Sequence, residues 1–209
     1  MADTLDTDPP ADLGPGDGAD PVSDGPGRRR RIAPLIVAGV GAVLVALFVM
    51  LVAAEPDPGE SAETPLLDQP APDAVGAFAD GTAFELSQRK GSWVVLNFFT
   101  HNCVPCIREH DDLVAFVDQQ RSLGLDGAEF YSIVQGSTPE QVEEFFAERG
   151  GDWPVVYDPD LDFQLGFGVV RVPETWIIDP GGIVRGRLIT EVEADFLSSN
   201  LQLLRERFG

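Results

Sequence analysis

The stretch WVVLNFFTHNCVPC, residues 93–106, carries the clearest structural signal of this chain. Its first half, residues 93–99, is a compact run rich in aromatic and β-branched side chains, which predicts a strand buried on both faces of a sheet. Apolar side chains then recur at helical spacing, which predicts a helix from residue 103 to about residue 121, with Gly124 beyond its end. The CVPC tetrapeptide, residues 103–106, therefore lies where a buried strand gives way to a helix.

The sequence around this stretch alternates between strand and helix patterns. Further strands are predicted at residues 82–86, 129–134, 154–157, 175–178 and 183–188, and helical segments at 139–149, 161–167 and 192–207. Thr138 and Pro139 mark the start of a helix as its N-cap and first-turn proline. The DPGG of residues 179–182 predicts a tight hairpin turn, so the last two strands are antiparallel. We predict an α/β fold with a central mixed β-sheet flanked by helices.

The N-terminal quarter of the chain has a different composition. Residues 1–27 contain seven Asp and no Lys, Arg or Glu, and four arginines follow at 28–31. We predict that residues 1–31 are a disordered tail, since this composition buries too little apolar surface to offset its ordering entropy. Residues 32–54 then form a 23-residue run without a charge. A helix of that length spans roughly 34 Å, which predicts a transmembrane anchor before the folded domain.

The arginines predict how this anchor is oriented. By the positive-inside tendency the N-terminus stays cytoplasmic, so we predict a single-pass protein of the cytoplasmic membrane whose later residues are exported. A cleavable signal peptide is the alternative, with small residues at 52–54, but its apolar region is usually about 7–15 residues long. Residues 55–75 are rich in Pro, Glu and Asp and are predicted to be a solvated linker. Residues 76–209 then form one folded domain.

The exported part of the chain is strongly acidic. Residues 55–209 carry 28 acidic and 10 basic side chains, a net charge of −18 within a total of −21. This charge disfavours nucleic acids and anionic membrane surfaces as partners, because both carry the same sign.

Both cysteines of the chain lie at the predicted entrance to the helix. Cys103 is expected to be exposed there, with its thiolate stabilised by the unpaired N–H groups of the first turn. Cys106, one turn later, is expected to be more buried. This arrangement predicts a redox dithiol in which Cys103 attacks and Cys106 resolves, and such a dithiol needs no cofactor.

Three other interpretations of the cysteine pair stay open. A structural disulfide would gain little from closing a four-residue loop. A zinc or copper site would use His101, Cys103, Cys106 and His110, although structural zinc sites usually draw on two separate segments. Peroxide chemistry is suggested by the Thr-x-x-Cys spacing of residues 100–103, which resembles that of peroxiredoxins.

Residues 81–204 resemble the membrane-anchored thioredoxin-like proteins of the TlpA, ResA and CcmG group. The resemblance rests on an ordered set of pieces: GSWVVLNF at 91–98, the CVPC dithiol, the helical segment at 137–146, VPET at 172–175 and I-D-x-x-G at 178–182. A Cys-x-x-Cys pair alone is a weak signal, whereas the ordered set is specific. The resemblance implies a thioredoxin-like fold for the exported domain.

The resemblance also implies roles for the VPET loop. Pro173 corresponds to the cis-proline that faces the dithiol in this group. Val172 would offer backbone groups to an extended substrate peptide beside Cys103. Glu174 is the acidic residue of that loop, and it is our first candidate for carrying a proton to or from Cys106.

Four more residues near the dithiol have roles that the sequence leaves open. Asn97 stands where ordinary thioredoxins carry a buried acid, and it is a candidate for tuning the thiols. His101 lies two residues before Cys103, and as an imidazolium it would lower the pKa of that thiol. Glu109 is interpreted as a solvent-facing or capping acid, and His110 as a core residue.

Together these features imply an extracytoplasmic thiol–disulfide oxidoreductase that reduces the disulfides of exported proteins. By resemblance, the substrate would be an apocytochrome c during cytochrome c biogenesis, and a membrane thiol transporter would return the electrons. The alternatives are an oxidase that donates disulfides, a thioredoxin-fold metallochaperone and a peroxiredoxin-like peroxidase. The direction of electron flow depends on a reduction potential that the sequence does not give.

Overall fold

The computed structural model describes residues 33–53 and 60–209. Contacts divide the chain after Glu55 into two units, which are described separately. In the first unit the described part is one helix, α1 (Ala33–Ala53), whose side chains are exposed from Leu35 to Met50. No helix among the described residues qualifies as long and apolar enough for a membrane crossing. The anchor at 32–54 stays a prediction, and the tail at 1–31 lies outside the described residues.

The second unit is built on one eight-stranded sheet. Its strands are β1 (Glu60–Ser61), β2 (Val75–Ala77), β3 (Ala83–Glu85), β4 (Val94–Phe99), β5 (Glu129–Val134), β6 (Val155–Tyr157), β7 (Glu174–Ile178) and β8 (Val184–Ile189). Its helices are α2 (Val104–Ser122), α3 (Pro139–Arg149), α4 (Asp162–Phe167) and α5 (Ala194–Phe208), with short 3₁₀ turns at Leu86–Arg89 and Gly124–Asp126. The strand order is β1-β8-β7-β4-β5-β6-β2-β3.

The sheet is mixed, as the sequence predicts. β4 runs parallel to β5, and β5 runs parallel to β6. On its other side β4 pairs antiparallel with β7, which pairs antiparallel with β8. The antiparallel pairing of β4 and β7 has a direct consequence for the site. It places the end of β4, which leads to the cysteines, beside the start of β7, which follows Pro173.

Helices cover both faces of the sheet, and every residue of β4 is buried. Leu96 and Phe98 of β4 contribute to the apolar cluster on one face, together with Trp176 of β7 and Phe163 of α4. Val95 contributes to the cluster on the other face, together with Phe116 of α2 and Leu197 of α5. Because side chains alternate along a strand, a strand covered on both faces is apolar at successive positions. Because helices cover both faces of the sheet, residues 94–99 do not alternate between polar and apolar side chains.

Residues 60–75, the described part of the predicted linker at 55–75, pack on the domain. Leu66, Leu67 and Ala71 pack against the core cluster that contains Trp176. The backbone N–H of Asp68 donates to the Val184 carbonyl at 2.9 Å, and that of Ala71 donates to the Gly182 carbonyl at 2.8 Å. The prolines and acids of this stretch predict a solvated chain. Its few apolar side chains nevertheless pack against the core of the domain.

A capping box starts helix α3 and carries our first prediction. The Thr138 hydroxyl accepts a hydrogen bond from the Gln141 backbone N–H, and the Gln141 side chain accepts one from the Thr138 N–H at 2.9 Å. We expect Thr138→Ala to lower the free energy of unfolding by about 1 kcal/mol, because one helix donor loses its partner. Urea denaturation measures this change. Thr138→Ser keeps the hydroxyl as the matched control, and equal losses in both variants would contradict the capping role.

Candidate active site

The two cysteines lie at the start of α2, directly after β4. Cys103 is the N-cap of the helix, and its sulfur accepts a hydrogen bond from the Cys106 backbone N–H at 3.2 Å. Cys103 is half-buried, whereas the Cys106 side chain is only 2% exposed. The two sulfurs form a disulfide that joins Cα atoms 5.2 Å apart. Helix N–H groups therefore face the more accessible sulfur, which is the condition for stabilising its thiolate.

The loop before β7 meets the dithiol. The Val172–Pro173 peptide bond is cis, the geometry that the resemblance implies. The Cys103 sulfur lies 3.6 Å from the carbonyl oxygen of Val172. A peptide bound along this loop would therefore lie against the accessible sulfur. The substrate-binding roles of Val172 and Pro173 stay predictions.

The interpretation of Glu109 as a solvent-facing or capping acid is wrong, because its side chain is only 2% exposed. Glu109 lies on the face of α2 that packs on the sheet, three residues after Cys106. One carboxylate oxygen accepts from the Asn97 amide at 3.0 Å, and the other from the Val192 N–H at 3.1 Å. Burial raises the pKa of Glu109 to about 8, against the opposing effect of these two hydrogen bonds.

Asn97 holds this carboxylate in place. Its amide nitrogen donates to Glu109 and to the Thr175 hydroxyl, at 3.0 and 3.1 Å. Its amide oxygen is buried and has no hydrogen-bond partner among the described residues. Asn97 shares one face of β4 with Phe99, and Phe99 packs in the same apolar cluster as Cys106. Asn97 therefore contacts the buried Glu109, and its role in tuning the thiols stays a prediction.

Glu174 lies on the opposite side of the sheet from Asn97. Side chains alternate along β7, and it is the neighbouring Thr175 that bonds to Asn97. The Glu174 carboxylate accepts from the guanidinium of Arg187 at 2.9 and 3.1 Å and from the Trp176 ring N–H at 2.8 Å. These bonds commit Glu174 to an ion pair in the sheet. The predicted role of Glu174 as the proton carrier for Cys106 stays a prediction.

His101 is tied to the loop that precedes α3. Its ring nitrogen Nδ1 lies 2.8 Å from the Ser137 hydroxyl, and its backbone N–H donates to the same oxygen at 3.2 Å. The Thr100 hydroxyl lies 2.9 Å from Ser137 as well. Ser137 therefore fixes the loop that enters the CVPC turn, a role that the sequence did not suggest. The effect of His101 on Cys103 stays a prediction.

His110 is a core residue, as interpreted from the sequence. It is 3% exposed, its Nε2 lies 2.9 Å from the Gly150 carbonyl, and its ring packs edge-on against Phe145 at 4.8 Å between centroids. Burial lowers the pKa of His110. Within the described part of the chain, no group of three or more His, Cys, Asp and Glu side chains is placed to hold a metal ion.

A groove of about 630 Å³ runs along the loop before β7. Its walls combine Pro105 and Arg108 of α2, residues 170–174, Arg187 of β8 and residues 189–191. Arg108 and Glu191 face each other there and form a two-pronged ion pair at 2.7 and 3.0 Å. The groove therefore has room for a polypeptide segment next to Cys103.

Proteins with a related sequence carry names that fit this geometry. The thiol:disulfide interchange protein HelX of Rhodobacter capsulatus is 30% identical over 131 residues, which cover 62% of this chain and 69% of HelX. The thiol-disulfide oxidoreductase ResA of Bacillus subtilis is 29% identical over 132 residues, which cover 61% of this chain and 72% of ResA.

Solved structures show the same fold. A DsbF homologue from Corynebacterium diphtheriae has a TM-score of 0.58 at 24% identity and covers 72% of this chain and 96% of its own. The thioredoxin domain of a thiol-disulfide oxidoreductase from Bacteroides vulgatus has a TM-score of 0.58 at 20% identity and covers 68% and 99%. The predicted thioredoxin-like fold is thereby confirmed.

The family assignment follows from the extent of the match. Residues 67–187, more than half of the chain, match the AhpC/TSA family. This stretch contains β4, the dithiol, Glu109 and the loop with Pro173. Together with the named relatives, it places the chain in the AhpC/TSA family as a thiol–disulfide oxidoreductase of the TlpA, ResA and CcmG group.

Proposed function

We propose that this oxidoreductase works as a reductant of disulfides in exported proteins. The observation that carries the proposal is the difference in solvent exposure between the two cysteines. Cys103 is accessible beside the Val172 carbonyl, whereas Cys106 is buried, and three residues after it along α2 lies the buried Glu109, whose pKa is raised to about 8. A half-buried attacking thiol, a sheltered resolving thiol and a nearby proton acceptor are the parts that disulfide reduction needs.

The reaction starts from the reduced dithiol. The Cys103 thiolate attacks one sulfur of the substrate disulfide, whose other sulfur leaves as a thiolate and takes up a proton. This step leaves a mixed disulfide between Cys103 and the substrate. The thiolate of Cys103 is stabilised by the first N–H groups of α2, which include the Cys106 N–H at 3.2 Å.

The second step releases the product. Cys106 gives its proton to the ionised Glu109 carboxylate and attacks the Cys103 sulfur, and the second substrate sulfur leaves and is protonated. Two electrons have then passed to the substrate, which ends as a dithiol, and the protein ends with the Cys103–Cys106 disulfide. A dithiol reductant in the membrane returns two electrons and two protons to restore the starting state.

The sequence supports a specific substrate and location for this proposal. The VPET loop and the I-D-x-x-G turn resemble those of the cytochrome c maturation members, which supports the Cys-x-x-Cys-His segment of an apocytochrome c as the substrate. The uncharged run at 32–54 behind four arginines supports a cytoplasmic-membrane anchor with the catalytic domain on the outer face. An anchor would keep the domain close to a membrane-bound electron donor.

The reduction potential of the Cys103–Cys106 pair tests the direction of the reaction. Equilibration of the full-length chain against glutathione or dithiothreitol, followed by thiol alkylation, gives this value. A potential near −270 mV, about that of thioredoxin, is expected for a reductant fed by the membrane. A potential near −120 mV, about that of strong oxidants, would reverse the direction and make the protein a disulfide donor. If no disulfide formed, metal binding would become the leading interpretation.

A further inference from the structure

The groove beside the dithiol differs in charge from the rest of the domain. Residues 55–209 carry a net charge of −18 and only 10 basic side chains. Three of these 10 line the groove, namely Arg108, Arg171 and Arg187, against two acids, Glu174 and Glu191. The groove therefore carries a net positive charge next to Cys103, on a surface that otherwise repels anions.

Two of the three arginines are neutralised by the acids of the groove. Arg187 forms a two-pronged ion pair with the buried Glu174 at 2.9 and 3.1 Å. Arg108 forms a similar pair with Glu191 at 2.7 and 3.0 Å. Such bidentate pairs use the guanidinium donors and cancel the charge locally. The excess charge of the groove must therefore reside on the third arginine.

Arg171 is that third arginine. It is exposed, and it forms no ion pair within residues 33–53 and 60–209. It directly precedes Val172, whose carbonyl oxygen lies 3.6 Å from the Cys103 sulfur. A substrate segment that lies along the loop must therefore pass the Arg171 guanidinium within a few residues of its own cysteine.

Another part of the groove wall has an unusual backbone conformation. Thr190, which follows β8 in the groove wall, has a φ of +70°, a conformation that is rare for a β-branched residue. This left-handed residue turns the chain so that Glu191 meets Arg108 across the groove. Strained backbone of this kind persists where the surrounding structure requires it, often in binding sites. The pairing that leaves Arg171 as the excess charge is thus built into the fold.

We propose that Arg171 makes this oxidoreductase selective for disulfides flanked by acidic residues. The inference rests on the proposed reductase function and specifies its substrate class. The guanidinium pairs with an Asp or Glu carboxylate close to the cysteine that Cys103 attacks, and it offers a planar fork for that carboxylate. Lys or Arg residues beside the substrate cysteine are disfavoured despite the acidic surface of the domain. The Arg171 guanidinium repels them where Cys103 attacks the disulfide.

Three peptides that differ only in their flanks test the proposal. Each carries one intramolecular disulfide, flanked on both sides by Glu, Ser or Lys, and kcat/KM is measured with the reduced full-length chain. We expect the Glu peptide to exceed the Lys peptide by about three- to tenfold at low salt, as for other partly exposed ion pairs. Arg171→Ala should reduce this ratio to below about twofold, and Arg171→Glu should invert it. Added salt should shrink the wild-type ratio.

Two controls separate this proposal from the function on which it rests. Arg207→Ala removes an exposed arginine of α5 outside the groove, and its peptide ratio should equal that of the wild type. Hydroxyethyl disulfide, which is small and uncharged, should be reduced equally by the wild type and both Arg171 variants. Equal peptide rates in the wild type, or equal losses for all three peptides in Arg171→Ala, would overturn the selectivity. Failure to reduce any disulfide would instead overturn the proposed function.

Discussion

Replacement of Cys103 by serine is expected to abolish disulfide reduction, with a loss on the order of 10³-fold or more in kcat/KM. Cys103 is the only sulfur of the pair that is accessible, and it alone lies at 3.6 Å from the Val172 carbonyl, where a substrate would be held. Cys106 cannot take over, because it is 2% exposed and packed between Phe99 and the apolar residues of α3. Losses of this size are usual when a catalytic nucleophile is removed.

Cys106→Ser should behave differently, because it keeps the attacking sulfur. One equivalent of Ellman's reagent added to the reduced wild type should release two equivalents of coloured thiol in succession, the first by Cys103 attack and the second by Cys106 attack. Cys106→Ser should release one equivalent and retain the other as a stable mixed disulfide, which mass spectrometry detects. Cys103→Ser should release the thiol far more slowly than either.

The same two variants distinguish the reductase from a peroxidase. Peroxide chemistry needs the attacking sulfur alone, so Cys106→Ser would then consume peroxide as fast as the wild type. Disulfide exchange needs both sulfurs, so multiple turnover should stop in Cys106→Ser while the first step continues. A Cys106→Ser protein with full turnover of peptide disulfides would contradict the dithiol mechanism altogether.

Most of the fold could be predicted because its signals are local. Strand β5 has the bounds that the sequence predicts, and the other predicted elements lie within two residues of the observed ones. Thr138 and Pro139 start α3 as expected from their side-chain chemistry. These signals depend on neighbouring residues only. Strands β1 and β2 were missed because their identity depends on pairing with β8, β3 and β6, which lie elsewhere in the chain.

The sequence predicts the site residues that a motif spacing identifies. It does not predict those whose role depends on burial in the folded domain. Cys103, Cys106 and Pro173 follow from motifs, and the antiparallel pairing of β4 with β7 brings them together. Glu109 was misread because a charged residue on a helix is usually solvated. Its burial depends on the start of α5, which supplies the Val192 N–H, and no local pattern reports that contact. The signal that could have found it is its spacing of three residues from Cys106, which puts both on one helix face.

Asn97 shows why a buried acid at position 109 is tolerated. When Glu109 is ionised, the Asn97 amide nitrogen donates to it at 3.0 Å, and the amide oxygen has no partner among residues 33–53 and 60–209. When Glu109 is protonated, rotation of the amide by half a turn lets that oxygen accept the carboxyl proton instead. Both protonation states of Glu109 therefore find a hydrogen bond, which suits a group that must gain and lose a proton during each turnover.

Glu109→Gln is expected to slow the second release of thiol by about 10- to 100-fold at pH 8, because Cys106 loses its proton acceptor. With a pKa of about 8, the Glu109 carboxylate becomes ionised as the pH rises through that value. The wild-type rate of the second step should therefore rise up to about pH 8 and then level off. In Glu109→Gln this inflection should be absent, and the rate should keep rising with hydroxide concentration. Stopped-flow measurement with Ellman's reagent from pH 6 to pH 10 gives both profiles.

The stability of the oxidised protein provides an independent readout of the same group. Burial raises the pKa of Glu109 from 4.5 to about 8, so the folded state holds a proton that the unfolded state has lost between these values. The free energy of unfolding should therefore fall as the pH rises through this window, by up to about 5 kcal/mol, and level off above it. Glu109→Gln should remove this dependence and be more stable than the wild type at pH 9. His110, whose pKa is lowered, affects only the acidic side of neutrality and leaves the range from pH 7 to pH 9 to Glu109.

Asp111→Asn is the matched control, because Asp111 lies two residues further along α2 but is exposed. It removes one negative charge near the dithiol without removing a buried proton acceptor, so both its kinetic profile and its stability profile should follow the wild type. If Asp111→Asn and Glu109→Gln slowed the second step equally, the cause would be the loss of a negative charge near the dithiol and not the loss of proton transfer. If Glu109→Gln kept the wild-type inflection near pH 8, another group would have to accept the Cys106 proton. Burial of Glu109 would then serve the packing of α2 on α5 alone.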